Sequence, residues 1–133
     1  KGTRLGSVKK GASGGEMSRI MLAIKSVLAD FSQLPTILFD EIDTGVSGEI
    51  ALKMGEIMKK MSQNRQVFAI THLPQIASKG DAQFKVSKET VAENTISKIV
   101  KLSSEERIVE IAEMLSGKQI TDSALTHAKT LLN

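Results

Sequence analysis

Cysteine, tryptophan and tyrosine are absent from this chain of 133 residues, and its only aromatics are four phenylalanines. Without thiols there is no disulfide and no thiolate zinc site, so a metal ion must be held by oxygen or by one of two histidines. No apolar run is long enough to span a bilayer and no charged-then-apolar leader opens the chain, so the reading is of an intracellular, cytoplasmic protein with no membrane partner. An excess of one charge is lacking too. Eighteen basic against 15 acidic residues leave +3, too weak and too dispersed to argue a nucleic-acid surface. What is there, 41% hydrophobic and 25% charged residues, is ordinary for a globular chain the size of one domain.

The chain opens on Lys1 and runs through a polar, glycine-containing lead to Lys10, which reads as a fragment or a processed piece. Lys1, Arg4, Lys9 and Lys10 form a small basic cluster, and a solvated loop is its ordinary meaning.

The chemistry gathers around Pro35 to Gly48. Ile37-Leu38-Phe39 is a short apolar run launched by proline, which predicts a strand buried on both faces. It ends in Asp40 and Glu41, at the carboxyl end where ligands bind open α/β sheets. Neighbouring residues on a strand point opposite ways, so these two carboxylates are expected to do different jobs. The glycine-containing segment Ile42 to Gly48 reads as a tight loop into a helix with Ser47 as its N-cap. That helix buries Ile50, Met54, Ile57, Met58 and Met61, and Asn64-Arg65 ends it.

Upstream, Ala12-Ser13-Gly14-Gly15-Glu16 precedes apolar residues at Met17, Ile20, Met21, Ile24, Val27, Leu28 and Phe31, one face of a helix from about Gly14 to Asp30. Ser13 and Glu16 form a capping box. A cap needs at most one glycine. Two in succession leave backbone N–H groups bare at the positive end of the helix dipole, open to the approach of a phosphate. Methionine along both helices reads as core filling.

Val67 to Thr71 is a second apolar strand, and it ends at His72. A helix between two apolar strands is a βαβ unit, so the strands should be parallel. His72 then emerges at the same sheet edge as Asp40 and Glu41, which favours function over the structural role usual for a lone histidine. Leu73 to Ala77, with Pro74 in its first turn, predicts a short helix. Gln83 to Lys88 and Ile96 to Leu102 alternate apolar and polar residues, as in an exposed antiparallel hairpin. Ser104 to Leu115 and Thr121 to Leu132 are amphipathic, with Gly117 between them as a C-cap. His127, on the last helix, reads as structural.

Ala12-Ser13-Gly14-Gly15-Glu16, Ile37-Leu38-Phe39-Asp40-Glu41 and Thr71-His72 resemble, in order and spacing, the signature motif, Walker B strand and switch histidine of the ATP-binding cassette ATPases. The longer strings Ala-Ser-Gly-Gly-Glu-Met-Ser-Arg, Phe-Asp-Glu-Ile-Asp-Thr-Gly-Val-Ser-Gly and Ile-Thr-His-Leu-Pro-Gln-Ile-Ala resemble one branch, the RecN-type DNA repair ATPases related to SMC and Rad50 proteins. The resemblance covers nearly the whole chain. It implies an α/β fold, the C-terminal lobe of a P-loop ATPase head, spanning residues 1 to 133 with flanking helices and an antiparallel hairpin.

By that resemblance Asp40 would hold Mg²⁺ through water, Glu41 would polarise the attacking water, and His72 would touch the γ-phosphate. Ser13, Gly14, Gly15 and Glu16 would contact the ATP of an opposing subunit, with Asp43, Thr44, Gly45 and Ser47 in a loop at the dimer interface. The implied function is ATP hydrolysis across a head-to-head homodimer in DNA double-strand break repair and recombination, with DNA reached through the full-length protein near the nucleoid.

Two departures stand beside it. No Gly-x-x-x-x-Gly-Lys-Ser/Thr occurs, so the phosphate-cradling loop must come from an N-terminal Walker A lobe of the same protein. Ser47 stands where transporters and Rad50 relatives close the loop with aspartate. Leu115-Ser116-Gly117-Lys118-Gln119 mimics a second signature motif, but its glycine follows a helix instead of preceding one. Two alternatives remain at this point, a transporter nucleotide-binding domain fragment and a non-catalytic dimerisation lobe.

Overall fold

The computed structural model describes residues 13–91 and 94–133; the basic cluster from Lys1 to Lys10 and the alanine at position 12 lie outside them. Helix α1 (Gly14–Ser32) starts where Ser13 caps it and runs two residues past the expected end, stopping where Gln33 turns left-handed at φ 49°. Strand β1 (Thr36–Asp40), helix α2 (Gly48–Met61), strand β2 (Gln66–Ile70) and the short helix α3 (Pro74–Ala77) follow. The strands are parallel, registered from Thr36 opposite Gln66 to Asp40 opposite Ile70, so the apolar–helix–apolar pattern did form a βαβ unit.

The chain divides after Ile76 into two compact units. The core of the first joins Leu22 and Ala29 of α1, Ile37 and Phe39 of β1, Ala51, Met54, Met58 and Met61 of α2, and Ile42, Val46 and Ile76. Phe39 is its largest fully buried side chain. Lys25 caps this packing from α1, donating through Nζ to the Leu38 carbonyl at 3.0 Å with the ammonium 5.3 Å from the Phe39 ring centre. Arg65, just before β2, pairs with Asp30 of α1 at 2.5 Å.

Burial in this unit corrects two expectations. The sheet is not covered on both faces, because Ile37 and Phe39 are buried while Leu38 is 53% exposed, and Phe68 and Ile70 of β2 are exposed as well. Helix α1 buries Ser18, Leu22 and Ala29. The apolar stripe from Ile20 and Met21 through Ile24, Val27 and Leu28 to Phe31 lies on the opposite side and is exposed, Val27 by 68% and Phe31 by 88%. At 100° per residue, positions 20, 24, 27 and 31 fall roughly half a turn from 22 and 29. In α2, Met54, Met58 and Met61 are buried as expected, whereas Ile50 and Ile57 are exposed. Met21 is likewise bare, so not every methionine fills a core.

In the second unit, β3 (Phe84–Val91) pairs antiparallel with β4 (Asn94–Lys101), from Phe84 opposite Lys101 to Val91 opposite Asn94, so the hairpin is longer than its alternation indicated. Helices α4 (Ser104–Ser116) and α5 (Asp122–Leu132) close a core of Ile111, Ala112, Ala124 and Ala128. A capping box between Ser103 and Glu106 starts α4, Thr121 caps α5, and Gly117 ends α4 at φ 76° with its N–H donated to the Glu113 carbonyl. Gly117 is therefore a C-cap and no second signature motif. Lys85 of β3 pairs with Glu110 and Glu113 of α4; hydrogen bonds to these carboxylates hold its ammonium above the ordinary lysine range.

Candidate functional site

Parallel pairing brings the ends of β1 and β2 to one edge of the sheet. Asp40 closes β1, Glu41 follows it, and Thr71 and His72 follow β2. Glu41 lies in the left-handed region at φ 52°, a conformation that non-glycine residues adopt at some expense and that concentrates at functional sites. Both carboxylates are exposed and make no hydrogen bond or ion pair among the described residues.

The loop after Glu41 is tightly folded. Thr44 donates its amide and its hydroxyl to the Glu41 carbonyl, and Val46 donates to the Asp43 carbonyl. The Asp43 carboxylate is turned inward, only 3% exposed. There Oδ2 accepts from the Thr71 hydroxyl at 2.5 Å and the His72 amide at 3.0 Å, and lies 3.2 Å from His72 Nδ1. Thr71 Oγ1 accepts in turn from the Leu73 amide. A buried carboxylate needs such donors to offset its desolvation, and a loop threaded beside β2 is where it finds them. Thr44, Gly45 and Ser47 remain exposed. Ser47 occupies the N-cap position of α2, but its hydroxyl makes no capping bond.

The amino end of α1 is joined to the same loop. Ser18, buried, donates its hydroxyl to both the Gly14 and the Thr44 carbonyls, at 3.0 and 2.9 Å. A Cβ on Gly15 would lie 2.4 Å from the Gly45 carbonyl oxygen, and one on Gly45, itself at φ 71°, would lie 2.8 Å from the Gly15 amide nitrogen. Gly15 is thus required by backbone packing within the chain. Gly14 is not, since a Cβ there meets nothing nearer than 3.6 Å.

Ser13 and Glu16 form the expected capping box. The Ser13 amide donates to Glu16 Oε2 at 2.7 Å, and the Glu16 amide donates to Ser13 Oγ at 3.4 Å. The backbone hydrogen bond from Ser13, then that from its side chain, hold the Glu16 carboxyl below the ordinary glutamate range. Glu16 is therefore occupied with the helix end. The amides of Gly14 and Gly15 make no hydrogen bond among the described residues, leaving two donors at the positive end of α1.

No group of three metal-ligating side chains occurs among the described residues. An exposed, unpaired Asp40 nonetheless fits magnesium, which takes most of its oxygens from water and phosphates and only one or two from carboxylates. The His127 side chain is exposed on α5 and makes no hydrogen bond or ion pair among the described residues.

Pattern reasoning missed two features of this edge. Asp43 stands out in the sequence only as part of the loop that the resemblance implies at an interface, and its inward turn depends on Thr71 lying 28 positions away. The internal role of Gly15 required knowing that Gly45 comes against it.

No family model matches the chain. It is 48% identical over 132 residues to the DNA repair protein RecN of Rickettsia conorii, covering 99% of this chain and 24% of that protein. To RecN of Bacillus subtilis it is 44% identical over 131 residues, covering 98% and 23%. The chain thus spans about a quarter of the length of these relatives. Among solved structures, one from work on ATP-driven dimerization and DNA-stimulated activation of SMC ATPases matches at a TM-score of 0.67 and 27% identity, over 89% of this chain and 70% of that one. The Smc head domain with a coiled coil and joint from Pyrococcus yayanosii matches at 0.66 and 26%, over 80% and 20%. The chain is thus similar to RecN proteins along nearly its whole length and to SMC heads in its fold.

Proposed function

We propose that this chain is the C-terminal half of an ATPase head that acts in DNA double-strand break repair and recombination, binding and hydrolysing ATP between two heads once a Walker A lobe is joined to it. The observation that carries the reading is the shared sheet edge, where parallel register sets Asp40 and Glu41 beside the strand end that leads into His72. In this reading Glu41, held left-handed, turns its carboxylate from the strand toward the attacking water, and His72 meets the γ-phosphate. Ser13, Gly14, Gly15 and Glu16 meet the ATP of the opposing head, with the loop of Asp43, Thr44, Gly45 and Ser47 at the interface between heads. Asp40 would hold Mg²⁺ through water, and the ion would supply neutralisation of phosphate charge. Positioning and electrostatics, with little covalent chemistry, account for the rate.

The bare apolar surface supports the half-head reading. An α/β sheet of this kind is covered on both faces. The exposed Leu38, Phe68 and Ile70, with the outward stripe of α1, are surfaces for the remaining chain, the Walker A lobe foremost. The RecN likeness supports a role in repair, and DNA as partner and a place in the cytoplasm at the nucleoid belong to the same proposal. The SMC likeness favours ATP-dependent pairing of heads.

The test uses the head rebuilt with its N-terminal lobe. Glu41→Gln keeps size but removes the base, so ATP should bind, the paired head should persist, and turnover should fall by about a hundredfold or more. Asp40→Asn should weaken Mg²⁺-dependent binding and give little paired head. Near-normal turnover in Glu41→Gln, or equal loss of binding in both, overturns the assignment; pairing with ATP bound but never hydrolysed in the unmodified head identifies a dimerisation lobe instead.

A further inference from the structure

We infer that Asp43 is the positioning residue for His72, fixing the proton on Nδ1 so that Nε2 is the ring atom presented to the nucleotide; the catalytic consequence rests on the function proposed above. The carboxylate is almost fully buried, whereas the His72 side chain is 74% exposed. Oδ2 accepts from a backbone amide and a hydroxyl, and the imidazole Nδ1 lies 3.2 Å from it, close enough that a hydrogen on Nδ1 is favoured over a bare lone pair facing the oxygen. The same oxygen takes the His72 amide and the Thr71 hydroxyl, which fixes the carboxylate against the backbone from which the ring extends.

The arrangement follows the logic of an acid that orients a histidine without itself reacting. With Nδ1–H beside a fixed carboxylate, Nε2 is the remaining nitrogen of a side chain that is mostly exposed. Neutral, that atom accepts a hydrogen from water; protonated, it donates to a phosphate oxygen. The free ring otherwise chooses between tautomers, and a residue touching a nucleotide at the end of a rotatable side chain gains from having that choice removed. Asp43 also belongs to the loop that Ser18 and Gly45 tie to the amino end of α1. A shift of that loop is therefore felt at the histidine.

Two measurements test this. The 133-residue chain has only two histidines, so ¹⁵N-histidine labelling with long-range proton–nitrogen correlation reads the tautomer of His72 directly, with His127 as the internal reference. Once the spectra show both imidazoles neutral at alkaline pH, His72 should be in the Nδ1–H form, and Asp43→Ala should shift it toward Nε2–H. An Nε2–H tautomer in the unmodified chain overturns the assignment, whether or not Asp43→Ala folds. In the rebuilt head, Asp43→Ala and His72→Ala should reduce turnover to within about threefold of each other, with the double variant no worse than the deeper single one. Asp43→Asn, which keeps an accepting oxygen, should recover most of the loss. Fully additive losses overturn the positioning role. Wild-type turnover in His72→Ala, with the Nδ1–H tautomer present, instead sinks the nucleotide role of His72 and removes the catalytic consequence.

Discussion

Gly14 and Gly15 are adjacent in sequence yet glycine for different reasons. Gly15 has no room for a methyl group, because the Gly45 carbonyl oxygen stands 2.4 Å from where the carbon would be. Gly14 has room, and in a helix alanine is favoured over glycine by roughly 0.5–1 kcal/mol. Gly15→Ala should therefore destabilise the chain, by about 1–3 kcal/mol if the loop gives way, while Gly14→Ala should leave its thermal midpoint unchanged or slightly raised. If the function proposed above holds, Gly14→Ala in the rebuilt head should still impair ATP-driven pairing, because a methyl group would crowd the helix amides that the phosphate is proposed to meet. Thermal unfolding of the chain and pairing of the head separate the two effects. A Gly14→Ala head that pairs normally reduces Gly14 to a helix residue.

Helix α1 depends at its start on a charged cap. The Glu16 carboxylate accepts from the Ser13 amide at the positive end of the helix, and its pKa is depressed by that bond. Because the folded state releases this proton more readily than the unfolded state, the contribution is present above the unfolded glutamate value. It is lost as pH falls through the folded one. Comparing urea midpoints of wild type and Glu16→Gln from pH 6 down to about 2.5 isolates it. Wild type should be the more stable at neutral pH, with the difference vanishing in acid as its carboxyl protonates. A difference that stays constant with pH would mean that shape alone, and not charge, makes the cap.

At the scale of the whole molecule, the question is why so much apolar surface is bare. The outward stripe of α1 and the open sheet face contribute nothing to this chain's own core. Substituting Val27 or Phe31 by serine should accordingly leave the isolated chain within about 0.5 kcal/mol of wild type, the usual range for exposed sites. In the complete head the same changes should destabilise by about 1.5–3 kcal/mol each, the scale of burying such a side chain. Thermal unfolding of both forms makes the comparison. Equal losses in the two, or none in the complete head, would mean that this stripe is not covered by the rest of the protein.

Secondary structure was legible from the chain alone because it is written in local signals. Ser13 three residues before Glu16, Gly117 after an amphipathic run, and apolar runs flanking a helix each act through a few neighbouring positions, and each formed what it indicated. The shared edge of Asp40, Glu41 and His72 was legible for the same reason, since a βαβ connection admits one parallel arrangement. Which side of each element is covered was not. Periodicity shows that α1 has an apolar stripe at Ile20, Ile24, Val27 and Phe31, but not whether this chain or another part of the protein buries it, and here Leu22 and Ala29 face the core instead. The inward turn of Asp43 onto Thr71 and His72, the contact of Gly15 with Gly45, and the left-handed backbone of Glu41 belong to the tertiary structure. Each is set by groups that pattern reading does not pair: a carboxylate finds its donors, and a glycine its obstructing carbonyl, only after distant segments have packed.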